Sequence, residues 1–253
     1  MRVQTGDNVG IGGFIITGSA PKHVLIRAIG PSLTRFGVPN VLADPLLELH
    51  GPGGFATITD DNWRDDPLQA LQIEATGIAP TNDLESAIDA NLNPGSYTAV
   101  VRGSNNASGV ALVEVYDLNQ AVLAKLANIS TRAFVSTGDD IVIGGFQLGG
   151  NTGDDRIIVR GIGPSLAAFG VTNALADPTL ELRDGNGALV IANNDWQDNP
   201  AQAAQLTAAG LAPTNRSESG LAATLPPGAY TALLAGLNNG TGVGLLEIYD
   251  RGQ

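Results

Sequence analysis

Acidic and amide side chains are concentrated at two matching places in the sequence, one near residue 60 and the other near residue 195. Calcium prefers about six to eight oxygen ligands, which Asp and Asn side chains and loop carbonyls supply. The same residue types are typical of polar turns and of the cap at the start of a helix. Both interpretations stay open, and the candidate calcium ligands are Asp60, Asp61, Asn62, Asp65, Asn193, Asn194, Asp195 and Asp198.

The two tryptophans, Trp63 and Trp196, lie inside these polar clusters at matching positions. An exposed indole offers a flat face on which a sugar ring can stack. The alternative is a core residue whose indole N–H donates a hydrogen bond to a loop carbonyl. Recurrence at the same position favours this structural role, and the sugar-binding pair is kept as a second hypothesis.

Few residues of the chain suggest catalysis. There is no cysteine, and neither His23 nor His50 is a histidine in the other half of the sequence. The Gly-Pro-Ser-Leu segment that begins at Gly30 is not a Gly-x-Ser-x-Gly nucleophile elbow. The glycines of Gly10–Gly13 lack the strand–turn–helix context of a dinucleotide site. We therefore expect a protein that is not an enzyme.

The sequence contains an internal repeat of one module in two copies. Arg27–Leu33 (RAIGPSL) returns as Arg160–Leu166 (RGIGPSL), an offset of 133 residues from Arg27 to Arg160. The same offset carries Trp63 onto Trp196. An internal repeat of this kind fixes the organisation of the chain before any finer detail is considered.

Composition narrows the classes of partner. The 253 residues include 25 acidic and 13 basic side chains, with a net charge of −12. This balance disfavours binding to nucleic acid or to an anionic membrane, both of which need basic patches. A cysteine-free, Lys-poor chain rich in Gly and Asn is typical of secreted bacterial proteins. We therefore expect an extracellular or cell-surface location in a bacterium.

Short segments of alternating or β-branched residues between turn signals predict an all-β fold. The turns are rich in Gly, Pro, Asn and Asp. The segments recur at a spacing that is typical of a β-sandwich. In repeat one the predicted strands are Val9–Thr17, His23–Ile29, Leu46–His50, Ala56–Thr59, Ser86–Leu92, Tyr97–Arg102 and Val110–Tyr116.

Each repeat also contains one helical pattern. In repeat one it covers Pro67–Thr76, with Asp65 or Asp66 as the N-terminal cap and Gly77 at the stop. Pro at the start and Gly after the end are the usual asymmetry of a helix. The sequence therefore predicts two tandem jelly-roll-like β-sandwich domains with one short helix each, at residues 1–120 and 137–253, joined by a connector strand at residues 121–136.

Two further structural roles are predicted around the Gly-Pro-Ser-Leu segment. We expect a single helical turn in which Leu33 and Phe36 plug one end of the sandwich. We also expect the arginine at the start of the segment to form a buried ion pair. The candidate pairs are Arg27 with Asp44 or Glu48, and Arg160 with Asp177 or Glu181.

The connector has the alternation of a strand rather than the composition of a flexible linker. Apolar and β-branched residues occupy every second position from Ile129 to Val135. Repeat one has no matching segment, because Met1 aligns near Ala133. If the connector strand pairs within repeat two, repeat one has an unfilled sheet edge; if it completes repeat one, the vacancy is in repeat two. An unpaired edge is a site for strand addition from another chain.

The closing strands of each repeat resemble the bacterial pre-peptidase C-terminal (PPC) domain. The resemblance rests on Leu92–Val101, on Leu225–Ala232, and on Leu180–Gly187 followed by Asn193–Asp195. It implies a secreted, jelly-roll-like sandwich attached to enzymes or surface proteins, with ligand-binding or calcium-binding relatives. The Gly-Pro-Ser-Leu segment and the helix depart from that pattern and look more like a tandem repeat of large secreted bacterial proteins.

These observations predict a structural or adhesive repeat module. We expect it to associate with other copies or with neighbouring repeats and to assemble head to tail into fibres by strand complementation. The alternative is a carbohydrate-binding module, stabilised by calcium and attached to a secreted enzyme, with a polysaccharide as its partner.

Overall fold

The fold is built mainly from β-strands, as the sequence predicts. The computed structural model describes residues 1–138, 140–149 and 153–252. The chain divides into a first unit, Met1–Ala127, and a second unit, Asn128–Gln253. Each unit contains one copy of the sequence repeat.

The first unit is β-sandwich-like, with two groups of antiparallel strands. One group has the strand order β6-β3-β9, and in the other β2, β7, β4 and β5 lie side by side, while β1 pairs with β8. The strands are β1 (Arg2–Val3), β2 (Gly10–Gly18), β3 (Lys22–Ile29), β4 (Pro45–His50), β5 (Ile58–Asp60), β6 (Ser86–Leu92), β7 (Gly95–Gly103), β8 (Gly109–Val110) and β9 (Leu112–Asp117).

Alternation along the strands produces the core of the first unit. In β4, Leu47 and Leu49 point inward between half-buried neighbours, as expected when successive side chains face opposite sides of a sheet. They join Phe14 of β2, Ile26 of β3 and Ile88 of β6 in one buried cluster. Burial of each such side chain contributes about 1.5–3 kcal/mol, so the two groups of strands are held face to face mainly by this cluster.

One long strand, β10 (Ala124–Val135), crosses the boundary between the units. Its second half, Asn128–Val135, pairs antiparallel with the last strand of the second unit. The connector is therefore a paired strand, as the alternation predicted.

The second unit repeats the plan of the first. Its four-stranded sheet has the order β11-β16-β13-β14, and opposite it β15, β12, β17 and the second half of β10 lie side by side. Leu180 and Leu182 of β13 are buried in its interior. The remaining strands are β11 (Val142–Leu148), β12 (Asp155–Ile162), β13 (Pro178–Asp184), β14 (Leu189–Asn193), β15 (Ser219–Leu225), β16 (Gly228–Gly236) and β17 (Gly242–Asp250).

The helix predicted in each repeat is confirmed. Helix α1 (Pro67–Ala75) begins at Asp66, whose carboxylate accepts hydrogen bonds from the N–H groups of Leu68 at 2.9 Å and Gln69 at 3.3 Å. Helix α2 (Pro200–Ala208) begins in the same way at Asn199. A side-chain oxygen at this position satisfies N–H groups that have no partner inside the helix.

The predicted plug of Leu33 and Phe36 is wrong for the aromatic ring, whereas Leu33 is half-buried and its counterpart Leu166 is buried. Pro31–Phe36 and Pro164–Phe169 do form short 3-10 helices of about two turns, closed by Gly37 and Gly170 in the left-handed conformation. However, Phe36 is 70% exposed and Phe169 is 82% exposed. Neither ring is needed to hold the turn in place, because a buried carboxylate holds its backbone instead.

Candidate functional site

The Gly-Pro-Ser-Leu segment is held by Glu85, a buried acid that sequence reasoning missed. One Glu85 carboxylate oxygen accepts hydrogen bonds from the N–H groups of Gly30 at 3.1 Å and Ser32 at 2.9 Å. The other accepts from the Ser32 hydroxyl at 2.8 Å. The Ser32 and Thr81 hydroxyls lie 2.8 Å apart. This arrangement satisfies the N–H groups at the start of the turn, which is a structural role for Ser32.

The second unit repeats this arrangement. Glu218 accepts from Gly163 N–H at 3.2 Å, from Ser165 N–H at 2.9 Å and from the Ser165 hydroxyl at 2.9 Å. The signal that could have found both acids is their occurrence at matching positions of the repeat. Their large sequence separation from the turn concealed their role.

The predicted partners of Arg27 and Arg160 are also wrong. Arg27 Nε donates to Glu114 at 2.9 Å, and Tyr116 Oη donates to the other oxygen of Glu114 at 2.8 Å. Arg160 pairs with Glu247 in the same way. Arg27 and Glu114 face each other across the β3–β9 register, and residues directly opposite in an antiparallel pair share one face of the sheet. Asp44 and Glu48 lie outside this pairing.

The tyrosines beside these ion pairs have raised pKa values, as expected for buried phenols. Burial, followed by the nearby Glu247 carboxylate, raises the pKa of Tyr249 to about 12. Burial, followed by the nearby Glu114 carboxylate, also raises the pKa of Tyr116. Both phenols therefore stay protonated and donate hydrogen bonds to the glutamates.

Within the acidic cluster, Asp60 has a structural partner. Its Oδ2 accepts a hydrogen bond from Ala87 N–H at 2.8 Å. Burial, opposed by this hydrogen bond and reinforced by nearby aspartates, raises the pKa of Asp60 to about 6. Its counterpart Asn193 accepts from Gly220 N–H at 2.9 Å and donates to the Asp195 carbonyl at 2.9 Å.

The remaining predicted calcium ligands have mixed surroundings. Asn62 donates to Asp65 at 3.2 Å, and Asp195 and Asp198 belong to one turn. Over the part of the chain that the structure describes, no three acidic or histidine side chains form a metal-binding group. Among the described residues of this region, four buried side-chain oxygens nevertheless have no hydrogen-bond partner: Asp44 Oδ1, Asn62 Oδ1, Asp177 Oδ1 and Asn194 Oδ1.

Both tryptophans donate their indole N–H to a loop carbonyl, Trp63 to Asn82 and Trp196 to Asn215, each at 3.1 Å. Trp63 is 2% exposed, and the Arg64 guanidinium lies 3.9 Å from its ring centroid. Trp196 is only partly buried. The ring of Trp63 has no free face for a sugar, which counts against sugar stacking in the first unit.

The outer edge of β9 is the clearest difference between the units. β9 is the last strand of its sheet, and within the described residues its outer edge is unpaired. In the second unit the matching strand β17 lies between β12 and β10. Leu246 and Ile248 of β17 are buried, whereas their counterparts Val113 and Val115 are only partly buried. The missing neighbour therefore leaves apolar surface accessible as well as backbone.

In the first unit, strand β1 occupies only one end of the place that β10 occupies next to β17 in the second unit. Arg2 pairs with Val110 and Val3 with Gly109, as Phe134 pairs with Val243 and Val135 with Gly242 in the second unit. The Met1 amine donates to the Ala111 carbonyl at 2.9 Å. The open part of the edge is therefore Leu112–Asp117.

A shallow cleft of about 250 Å³ borders the open edge. It is lined by Leu112 and Glu114 of β9 together with Arg27, Ile29 and Leu33, among others. In the second unit, Phe134 of β10 packs on the matching apolar group formed by Ile162, Leu166 and Leu245. In the first unit Arg2 of β1 occupies the position of Phe134, so at this point the two units differ in the side chain and not in the presence of a strand.

The other sheet shows the opposite difference. In the first unit, Ser19 N–H donates to the Leu123 carbonyl at 2.9 Å, and Ala124 and Leu126 of β10 pack against the core. In the second unit β11, the counterpart of β2, is the last strand of its sheet.

Aromatic burial follows this difference. Phe14 of β2 is buried and stacks on Tyr97 with 5.4 Å between ring centroids, whereas Phe146 of β11 stacks on Tyr230 at 5.5 Å and is only partly buried. The edge of β11 is therefore less covered than the edge of β2.

Comparison with known proteins gives no family. No family model matches this chain, and no curated protein matches it. Among solved structures, the crystal structure of the STIV MCP, a viral capsid protein, aligns with 99% of this chain and 93% of its own at 14% identity and a TM-score of 0.25. A similarity of this size supports no functional inference. Within the described residues, no helix is both long and apolar enough to cross a membrane.

Proposed function

We propose that this chain is a structural or adhesive repeat module of a bacterial extracellular or cell-surface protein, and that neighbouring modules complete its sheets by strand complementation. The observation behind the proposal is that the β9 edge of the first unit is open within the described residues, whereas the equivalent β17 edge of the second unit is filled. Because the two strands are counterparts in a sequence repeat, the strand that fills the β17 edge supports the proposal that a similar strand is accepted at the β9 edge. We also infer that both units are jelly-roll-like sandwiches.

The physical basis is the set of unpaired groups on an edge strand. Exposed N–H and C=O groups of an edge template the addition of another strand. Backbone hydrogen bonds then give affinity, and alternate side chains give specificity. In the second unit, Thr131 pairs with Leu246 and Ile129 pairs with Ile248. At the β9 edge, residues at these two positions of an added strand would cover Val113 and Val115.

The side chains most suggestive of chemistry support a non-enzymatic role. The hydroxyls of Ser32 and Ser165 donate hydrogen bonds to buried glutamates that hold a turn. Arg27 and Arg160 form ion pairs across a sheet. Each of these groups has a structural use that accounts for its presence in both repeats.

A short N-terminal extension tests the proposal. A copy of Asn128–Arg132 placed directly before Met1 continues β1 along the open edge, since Ala133 occupies the position of Met1. We expect slower hydrogen exchange at the Leu112–Asp117 amides, by about tenfold or more, and a higher melting temperature.

The matched control carries Ile129→Asp and Thr131→Pro within the copied segment and should show neither effect. Equal exchange at Leu112–Asp117 with the two extensions would refute the proposed strand complementation.

A calcium-stabilised loop is a second candidate, favoured by the four unpartnered oxygens near the acidic clusters. Oxygens of this kind are the ligands that calcium prefers. The carbohydrate-binding alternative has less support, because Trp63 is buried and covered by Arg64. A half-buried Trp196 is its remaining candidate contact.

A further inference from the structure

We propose that β11 is a second strand-accepting edge, and that one segment resembling Leu123–Arg132 joins two copies of this chain by completing β11 of one copy and β9 of the next. This inference rests on the proposed function and specifies its partner. It assigns the partner a sequence pattern, and it requires the two edges to accept different halves of the same strand.

The first support is the double role of β10. Its first half belongs to the first unit, where Leu123 accepts from Ser19 N–H and where Ala124 and Leu126 pack on the core. Its second half pairs with β17 in eight consecutive positions, from Asn128 with Tyr249 to Val135 with Gly242. One continuous strand therefore serves two successive units.

The second support is that the two open edges match these two halves. Among the residues that the structure describes, β2 of the first unit has a neighbour on its outer side and β9 has none. In the second unit β17 has such a neighbour, and β11 has none within the same described residues. Ile143 of β11 is 48% exposed and Phe146 is partly buried. The chain thus presents two acceptor edges, while its own β10 is already in use along its length.

The third support is the chemistry of the segment itself. Leu123–Arg132 contains two basic residues, Lys125 and Arg132, and no acidic residue, whereas the whole chain has a net charge of −12. A basic strand has the charge opposite to that of an acidic module and is therefore attracted to it, whereas an acidic strand would be repelled. In the joining segment, the residues at the positions of Ala124 and Leu126 would pack next to β11 of one copy. Those at the positions of Ile129 and Thr131 would pack next to β9 of the other copy.

A longer extension tests the inference against the shorter one. A copy of Leu123–Arg132 placed directly before Met1 should fill β9 of its own chain with its second half and leave its first half free for β11 of another copy. We expect head-to-tail oligomers by sedimentation velocity, together with slower hydrogen exchange at Val142–Leu148. The extension with Asn128–Arg132 alone should stay monomeric.

The matched control is the long extension with Leu126→Asp in the copied segment. It should protect Leu112–Asp117 and remain monomeric. If the unmodified long extension protects Leu112–Asp117 but neither oligomerises nor protects Val142–Leu148, the second edge is refuted and the proposed function stands. If neither the long nor the short extension protects Leu112–Asp117, both proposals fail.

Discussion

Buried acids hold the loops of this module in place at the residue scale. Glu85 and Glu218 each accept three hydrogen bonds from one turn, at equivalent atoms in the two repeats. A carboxylate that accepts several bonds from N–H and O–H donors makes charge-assisted contacts, which are stronger than neutral ones. The Gly-Pro-Ser-Leu segment is therefore held by charge-assisted hydrogen bonds in both units, and in the second unit also by the burial of Leu166.

We predict that Glu85→Ala lowers the free energy of unfolding by about 3 kcal/mol, because it leaves buried donors of Gly30 and Ser32 without a partner. Glu85→Gln keeps one acceptor and should cost about 1–2 kcal/mol. Urea denaturation measures both changes. Asp83→Asn, at an exposed side chain, is the control and should be close to neutral. A Glu85→Ala variant as stable as Asp83→Asn would contradict this role.

Asp60 gives a prediction about pH. Its folded pKa of about 6 lies above the ordinary value of 3.8, so between these values the folded state holds a proton that the unfolded chain has released. Its contribution to stability is complete below pH 3.8 and is lost as the pH rises to about 6. We expect Asp60→Asn to remove this loss and, allowing for the solvent that reaches the group, to stabilise the protein by about 1–2 kcal/mol at pH 7.

The measurement is the free energy of unfolding from pH 4 to pH 7.5 for both proteins. Asn193 shows that an amide fits the equivalent position, since it donates to the Asp195 carbonyl while keeping the backbone bond. Two curves that run parallel across this range would contradict the assignment.

Local features at this scale could be read from the sequence, and distant pairings could not. The sequence predicted Asp65 or Asp66 as the cap from their positions before Pro67, and the structure selects Asp66. Glu114 as the partner of Arg27 depends on the register of β3 with β9, 87 residues apart. Spacing along the chain gives no information about register, so Asp44 and Glu48 were predicted instead.

Strands and helices were predictable because turn residues and alternation set them locally. The Ser86–Leu92 strand was predicted to the residue, and the Pro67–Thr76 helix ends one residue earlier in the structure. The two alternatives for β10 could not be resolved from sequence, because its apolar alternation fits the edge of either unit. The structure shows that Asn128–Val135 pairs within the second unit, which is the first alternative, while Ala124–Ala127 belongs to the first unit.

At the scale of the strands, Val3 of β1 and Val135 of β10 occupy equivalent positions and are both fully buried. We predict that Val3→Ala and Val135→Ala each cost about 2 kcal/mol, because each leaves a cavity of the same size. Thermal or urea unfolding of the two variants measures this. A neutral Val3→Ala would show that β1 does not fill the position that the end of β10 fills in the second unit.

At the scale of the whole molecule, the repeat predicts that any stabilising ion binds at two equivalent sites, one in each unit. Unpartnered oxygens occur at Asp44 and Asn62 in the first unit and at Asp177 and Asn194 in the second. If calcium binds these regions, each site should stabilise its own unit by about 2.7 kcal/mol at a calcium concentration 100 times the Kd. The melting temperature should rise accordingly.

Scanning calorimetry with calcium, with magnesium and with a chelator measures this effect. Asp44→Asn and Asp177→Asn, separately and together, should reduce the calcium effect in steps. Identical melting in calcium and in chelator would rule out a calcium site that stabilises the fold.

The contact between Gly18 and Leu123 has a consequence for synthesis on the ribosome. When β10 emerges, β17 does not yet exist, and the open edge of β9 is only a short loop away, so a local hairpin of β9 and β10 would be the fastest pairing available. Gly18, at φ +116° with no Cβ to strike the Leu123 carbonyl, lets Ser19 bind Leu123 beside β2 instead. The start of β10 is thereby kept on the other sheet, and the nascent strand stays available for the unit that has yet to be made.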